Sequence, residues 1–116
     1  MCAPAVFKFT APACPERHLR VAVAMGADPL TQYVDLSHKA YLSRFQDAGQ
    51  ALSDRLLDIM HKLDIPNGLQ ALGYTDADIP DLVKGTLPQH RVTKLSPRPA
   101  DEEALTRLFA ESMSLY

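Results

Sequence analysis

A chain of 116 residues is the length of one ordinary domain, and a nucleotide-binding domain with a separate substrate domain does not fit into it, since domains run to about 100–150 residues each. With 47% apolar and 22% charged residues the composition is that of a globular chain, and disorder is not expected. The formal net charge of −2, from 12 basic and 14 acidic side chains, offers no attraction to a phosphate backbone or an anionic bilayer, so neither nucleic acid nor membrane is expected as a partner.

The first stretch, Pro4 to Thr10, carries Val6, Phe7 and Phe9 around Lys8. At this length it reads equally as a strand fragment or as the last turn of a helix. Pro12 and Pro15 then break the chain. Pro15 suits the first turn of a helix, where its missing N–H loses no partner, and Glu16 meets the positive end of the helix dipole. His18, Leu19, Ala22, Val23 and Met25 form an apolar stripe, closed by Gly26 in the place of a left-handed cap.

From Phe45 the apolar residues Ala48, Leu52, Leu56, Ile59 and Leu63 recur at steps of three and four. Asp47, Gln50, Asp54, Arg55, Asp58 and Lys62 take the other face, which predicts an amphipathic helix. Ile65-Pro66-Asn67-Gly68 ends it. Leu69 to Leu72 is a short helical turn closed by Gly73. Thr75 stands three residues before Asp78, a capping box with aspartate for the usual glutamate, ahead of a helix that buries Ile79, Leu82 and Val83. Leu87 to Pro99 is polar and proline-bearing, and is expected to be mostly extended. Asp101-Glu102-Glu103 opens a last helix with the stripe Leu105, Leu108, Phe109, Ser112 and Tyr116. No repeat and no convincing strand pair occurs, so the expected fold class is all-α, one helical domain over 1–116.

Most site chemistry is missing from this pattern. His18, His38, His61 and His90 lie too far apart for ligand spacing, and Cys2 and Cys14 form no metal or redox motif and fit a reduced compartment. His61 reads as a solvated side chain and His18 as a satisfied histidine at the core edge. Gly68 and Gly73 are spaced like a phosphate loop, but Tyr74 stands where the lysine is needed and no strand leads in. No catalytic, cofactor-binding or metal-binding residue is therefore assigned. The exception is Gln89 to Pro99, where His90, Arg91, Lys94 and Arg98 could hold a carboxylate or could simply be a solvated connector.

Three stretches carry a resemblance. PAVFKFTAPACPERHLRVAVAMGAD, the run from QDAGQALSDRLLDIMHKLDIPNGLQALGYTDADIP to DLVKGTLPQHRVTKLSPRP, and the ending ESMSLY are similar to the C-terminal portion of the iron-containing alcohol dehydrogenase family, and in particular to its transhydrogenase branch. SPRP, at Ser96 to Pro99, resembles the family's Asn-Pro-Arg element with Ser96 for the asparagine. The resemblance implies a larger mitochondrial enzyme with an N-terminal α/β nucleotide-binding domain and an all-helical C-terminal domain. It implies tightly bound NAD(H), and iron or another divalent metal held by one aspartate and three histidines.

The implied reaction oxidises 4-hydroxybutyrate to succinic semialdehyde while 2-oxoglutarate is reduced to 2-hydroxyglutarate. The family's metal ligands and glycine-rich loop precede the segment matched here, so neither cofactor is expected in this chain, and the chain alone is expected to be inactive. Residues 33–44 are an expected insertion. By position match Val92 and Thr93 face the cleft, and Arg91 or Lys94 contacts a substrate carboxylate, orienting it without joining the chemistry. Arg98 is expected to hold the loop against the final helix. The competing readings are a non-catalytic helical interaction module, associating with itself as a homo-oligomer or with full-length enzyme through the apolar face that the missing N-terminal domain would cover, and a truncated gene product.

Overall fold

Ala3–Thr10 is helical, which resolves the ambiguity of the first segment. In the computed structural model, which describes residues 1–27 and 45–116, this helix (α1) is followed by a 3-10 turn, Ala11–Ala13, and by α2, Pro15–Ala24. Pro15 occupies the first turn of α2 and Glu16 follows it, as their chemistry requires. Gly26 takes φ +89°, its N–H bonds the Val23 carbonyl at 2.9 Å, and the Ala27 N–H reaches Ala22 at 2.9 Å. These two bonds are a Schellman cap. The expected insertion at 33–44 lies outside the described residues.

Helix α3, Phe45–Lys62, closes with the same motif, using Asp64 at φ +53°. The Asp64 N–H bonds His61 at 3.1 Å, and the Ile65 N–H bonds Met60 at 2.9 Å. An aspartate tolerates this left-handed position better than most residues do. The helix therefore ends before the breaker cluster, and Leu63 falls outside it at 66% exposure.

The buried face of α3 differs from the expected stripe. Ala48, Gly49, Leu52, Ser53 and Met60 are buried, whereas Ile59 is 38% exposed. The cause is close approach: α1 and α2 both pack on α3, and a Cβ on Gly49 would come within 3.0 Å of both the Ala11 Cβ and the Lys8 Cα. Small residues (Ala5, Ala11, Ala22, Ala48) fill this seam, and Leu52, 1% exposed, is its one large side chain buried to that degree. Burial of such a leucine is worth about 1.5–3 kcal/mol.

A second group of elements follows: 3-10 turns at Gln70–Leu72 and Asp76–Asp78, then α4 (Ile79–Thr86), α5 (His90–Thr93) and α6 (Glu102–Glu111). Helix α4 packs on α6 around Leu69, Ile79, Val83, Leu105 and Met113. Gly73 caps its turn at φ +92°, and Asp101 caps α6 by accepting the Ala104 N–H at 2.8 Å. The last stripe holds from Leu105 through Leu108, Phe109 and Ser112 and fails only at Tyr116. Leu105 is buried, Ser112 is the buried C-cap with its hydroxyl on the Leu108 carbonyl at 2.7 Å, and Tyr116 lies past the helix against the His61 ring.

The tail lies along the segment that follows α3. Leu69 N–H donates to Ser112 O at 2.9 Å and Gln70 N–H to Met113 O at 3.1 Å. The Asn67 side-chain carbonyl accepts from Leu115 N at 2.6 Å and Tyr116 N at 2.9 Å. Together with the contact between α1 and α6, this clasp joins the two helix groups. Among the described residues every regular element is helical, in agreement with the expected all-α class.

Two aspartates give the chain a pH signature. The Asp78 carboxylate accepts the Thr75 N–H at 2.8 Å and its hydroxyl at 2.9 Å, and these bonds hold its pKa below the ordinary 3.8. The hydrogen bond from Lys62, helped by the charges of Lys62, Arg55 and His61, lowers Asp58 likewise. Because both folded values are depressed, the stabilisation they give is full above the ordinary value and fades as pH falls through the folded ones. Carboxyl-carbon NMR titration of the chain should place both midpoints below 3.8, and Thr75→Val should move the Asp78 midpoint upward and leave that of Asp58 in place.

Candidate functional site

The segment expected to be extended contains one turn of helix. Thr93 N–H bonds Gln89 O at 3.1 Å, Lys94 N–H bonds His90 O at 3.2 Å, and further turns run on from there toward Arg98. The physical reason lies in the reach of proline. Pro88, Pro97 and Pro99 constrain only themselves and the residues before them, which leaves His90 to Leu95 free to bond locally.

The turn arranges the candidate residues as an extended loop would not. Arg91 and Lys94, three apart, lie on one face, where helical neighbours sit about 5–6 Å apart at Cβ. Both are exposed, and neither is in an ion pair among the described residues, where Asp58 takes Arg55 and Lys62. Val92 is 57% exposed and Leu95 81%. Thr93 is half-buried, and its hydroxyl turns back to the Gln89 carbonyl at 3.3 Å. The turn thus presents two free cations and an apolar rim, an arrangement that can receive a small carboxylate.

Ser96 and Arg98 hold the turn in place. The Ser96 hydroxyl accepts the Arg98 N–H at 3.4 Å, the local bond that an asparagine makes to its own backbone two residues on. The Arg98 guanidinium donates to the Phe9 carbonyl at 2.6 Å and lies 4.5 Å over the Phe9 ring. The expected anchor on the final helix is corrected accordingly: the hydrogen bond and the stacking both go to α1.

Among the described residues the histidines do not come together as a metal centre. His18 is 6% exposed and has both ring nitrogens engaged, Nδ1 with the Cys14 carbonyl at 2.8 Å and Nε2 with the Thr10 hydroxyl at 2.9 Å. A carbonyl only accepts, so Nδ1 donates to Cys14, and the Thr10 hydroxyl, which also lies 3.1 Å from the Val6 carbonyl, pairs with Nε2. The His61 ring packs edge-on against Tyr116 at 5.1 Å, and His90 is exposed at the start of α5. Among the described residues no group of three His, Cys, Asp or Glu side chains could hold a metal ion. Gly68 and Gly73 are accounted for by the tail clasp and a helix cap.

One cluster has no sequence signal. Lys8, Phe9, Arg98, Arg107, Leu108 and Glu111 line a cleft of about 210 Å³. They come from α1, the loop before α6 and α6 itself, so no local spacing could reveal them.

Residues 1–113 match the model of the Fe-containing alcohol dehydrogenase family, C-terminal. A probable hydroxyacid-oxoacid transhydrogenase, mitochondrial, of Dictyostelium discoideum is 54% identical over 114 residues, 98% of this chain and 19% of its own length. The mitochondrial hydroxyacid-oxoacid transhydrogenase of Pongo abelii is 54% identical over 97% of this chain and 22% of its own length. That of Homo sapiens is 53% identical over the same shares. The chain thus spans about a fifth of the length of these curated relatives. No solved structure gives a significant match.

Proposed function

The chain belongs to the Fe-containing alcohol dehydrogenase family, whose C-terminal portion it matches over residues 1–113, and from that membership we propose that it forms the helical, substrate-orienting wall of a mitochondrial hydroxyacid-oxoacid transhydrogenase. One observation carries the reading: identity above half, over nearly the whole chain, to enzymes bearing that name in an amoeba and in mammals. In the proposed reaction 4-hydroxybutyrate becomes succinic semialdehyde and 2-oxoglutarate becomes 2-hydroxyglutarate, two electrons and two protons passing from the first acid to the second. Tightly bound NAD(H), and iron or another divalent metal, belong to the portion of the enzyme outside these residues. Among the described residues no group of three His, Cys, Asp or Glu side chains could hold the metal ion.

Both substrates carry a carboxylate remote from the carbon that changes oxidation state. The α5 turn is suited to hold it. Arg91 offers a planar fork and Lys94 a mobile point charge on the same face, with Val92 as the apolar edge and the Thr93 backbone beside it. Fixing that end of the substrate aligns the reacting end, which is where positioning lowers a barrier.

The test is a chimaera in which this chain replaces the matching segment of the human relative. It should oxidise 4-hydroxybutyrate only while 2-oxoglutarate is consumed. A folded chimaera that holds metal and nucleotide yet shows no such coupling contradicts the proposal.

A further inference from the structure

The α5 turn leaves three other cations unused. Lys8 on the last turn of α1, Arg107 in the middle of α6 and Arg98 between α5 and α6 surround the 210 Å³ cleft, and Glu111 is the one carboxylate on its wall. Three positive charges against one negative leave a local excess of two, on a chain whose net charge is −2. None of these four groups is ion-paired among the described residues, where Asp58 takes both bridges. Arg98 is already oriented: one N–H is given to the Phe9 carbonyl and its plane rests on the Phe9 ring, so its remaining donors are presented without further ordering.

A second cavity, of about 250 Å³, lies alongside and shares Lys8 and Glu111 as walls. Ser53 lines it from α3, fully buried, with its hydroxyl lacking any hydrogen-bond partner among the described residues, and Ser114 lines it from the tail. An orphaned buried hydroxyl is a standing cost to the fold unless a guest fills the space beside it. Water alone could satisfy Ser53, but an anion in the seam also gains charge-assisted hydrogen bonds from Lys8, Arg98 and Arg107 that water does not make. A negatively charged guest answers both observations.

We propose that this seam between α1, α3 and α6 binds a small oxyanion, a carboxylate or a phosphate, with its charged head among Lys8, Arg98 and Arg107. The site is separate from the α5 turn, because neither cavity is lined by Arg91, Val92, Thr93 or Lys94. Glu111 opposes the guest's charge and sets its position toward the two arginines. Added salt weakens the binding, because the attraction is electrostatic.

Titration of the isotope-labelled 116-residue chain, followed by amide NMR, tests this with inorganic phosphate in one arm and succinate in the other, against sodium chloride at matched ionic strength. Saturable shifts at Lys8, Arg98 and Arg107 are expected, and the arm that saturates first identifies the head group. Arg107→Gln should weaken binding about tenfold, the equivalent of about 1.4 kcal/mol. Glu111→Gln should tighten it, by removing the opposing charge. Both positions are exposed, so the variants should retain the parent's helical circular dichroism. Shifts that never saturate, or an Arg107→Gln chain that titrates like its parent, overturn the proposal.

Discussion

Replacing Gly68 with alanine should cost the chain about 2–5 kcal/mol, the largest loss expected from any single methyl group in the structure. Two costs add at this position. The backbone has φ +70°, where an L side chain pays about 1–2 kcal/mol. The new Cβ would also fall on the Met113 carbonyl, 2.6 Å from its carbon and 2.8 Å from the Ser112 oxygen. These atoms are backbone and cannot rotate aside, so overpacking adds about 1–3 kcal/mol. The tail must move, and with it go the bonds from Leu69 to Ser112 and from Gln70 to Met113 that close the second core.

Gly73→Ala is the control. Its φ of +92° carries the same conformational strain, but nothing lies within 4 Å of its Cβ. Urea denaturation of the two variants should therefore show Gly68→Ala as the more damaging by the whole of the clash. Against a domain stability of about 5–15 kcal/mol, that difference is readily measured. Equal midpoints would mean that the tail does not lie against Gly68.

The second large effect is functional. In the chimaeric enzyme, Arg91→Ala combined with Lys94→Ala should lower kcat/KM for both acids by about a hundredfold, since a hydrogen bond to a charged group is worth about 1.5–3 kcal/mol and each 1.4 kcal/mol is tenfold. The loss should fall mainly on KM if the cations hold substrate and transition state alike. Both side chains are exposed and outside the core, so the double variant should keep its stability within about 0.5 kcal/mol. Unchanged KM values for 4-hydroxybutyrate and 2-oxoglutarate would reduce the turn to a connector between α4 and α6.

What could be foreseen from the sequence divides along a physical line. Helix ends were legible, because Pro15, Gly26, Gly73, the Thr75–Asp78 pair and Asp101 act through bonds to their own neighbours. Family membership was legible for a similar reason, in contiguous runs of residues rather than in packing. The buried face of α3 was legible only in part: Ala48 and Leu52 are buried as expected, but Gly49, Ser53 and Met60 were not foreseen and Ile59 is exposed. Its closest contact is made at Gly49, and one of its fully buried positions is Ser53, and hydrophobic periodicity gives neither residue weight.

The α5 turn was missed because prolines at 88, 97 and 99 suggest extension, although the six residues from His90 to Leu95 are free of them. The hydrogen bonds from Asn67 to the tail, and the cluster of Lys8, Arg98 and Arg107, join residues far apart in the chain. Only tertiary packing creates them, so no spacing rule reports them.

In the proposed division of labour these residues shape and charge a substrate wall, and the metal and the nucleotide are held by others. Elemental analysis and nucleotide extraction, made on the folded 116-residue chain after incubation with ferrous iron, zinc and NAD, test it directly. Gel filtration should leave neither metal nor nucleotide in a stoichiometric amount. One tightly held metal ion, or one bound nucleotide, per chain would contradict it.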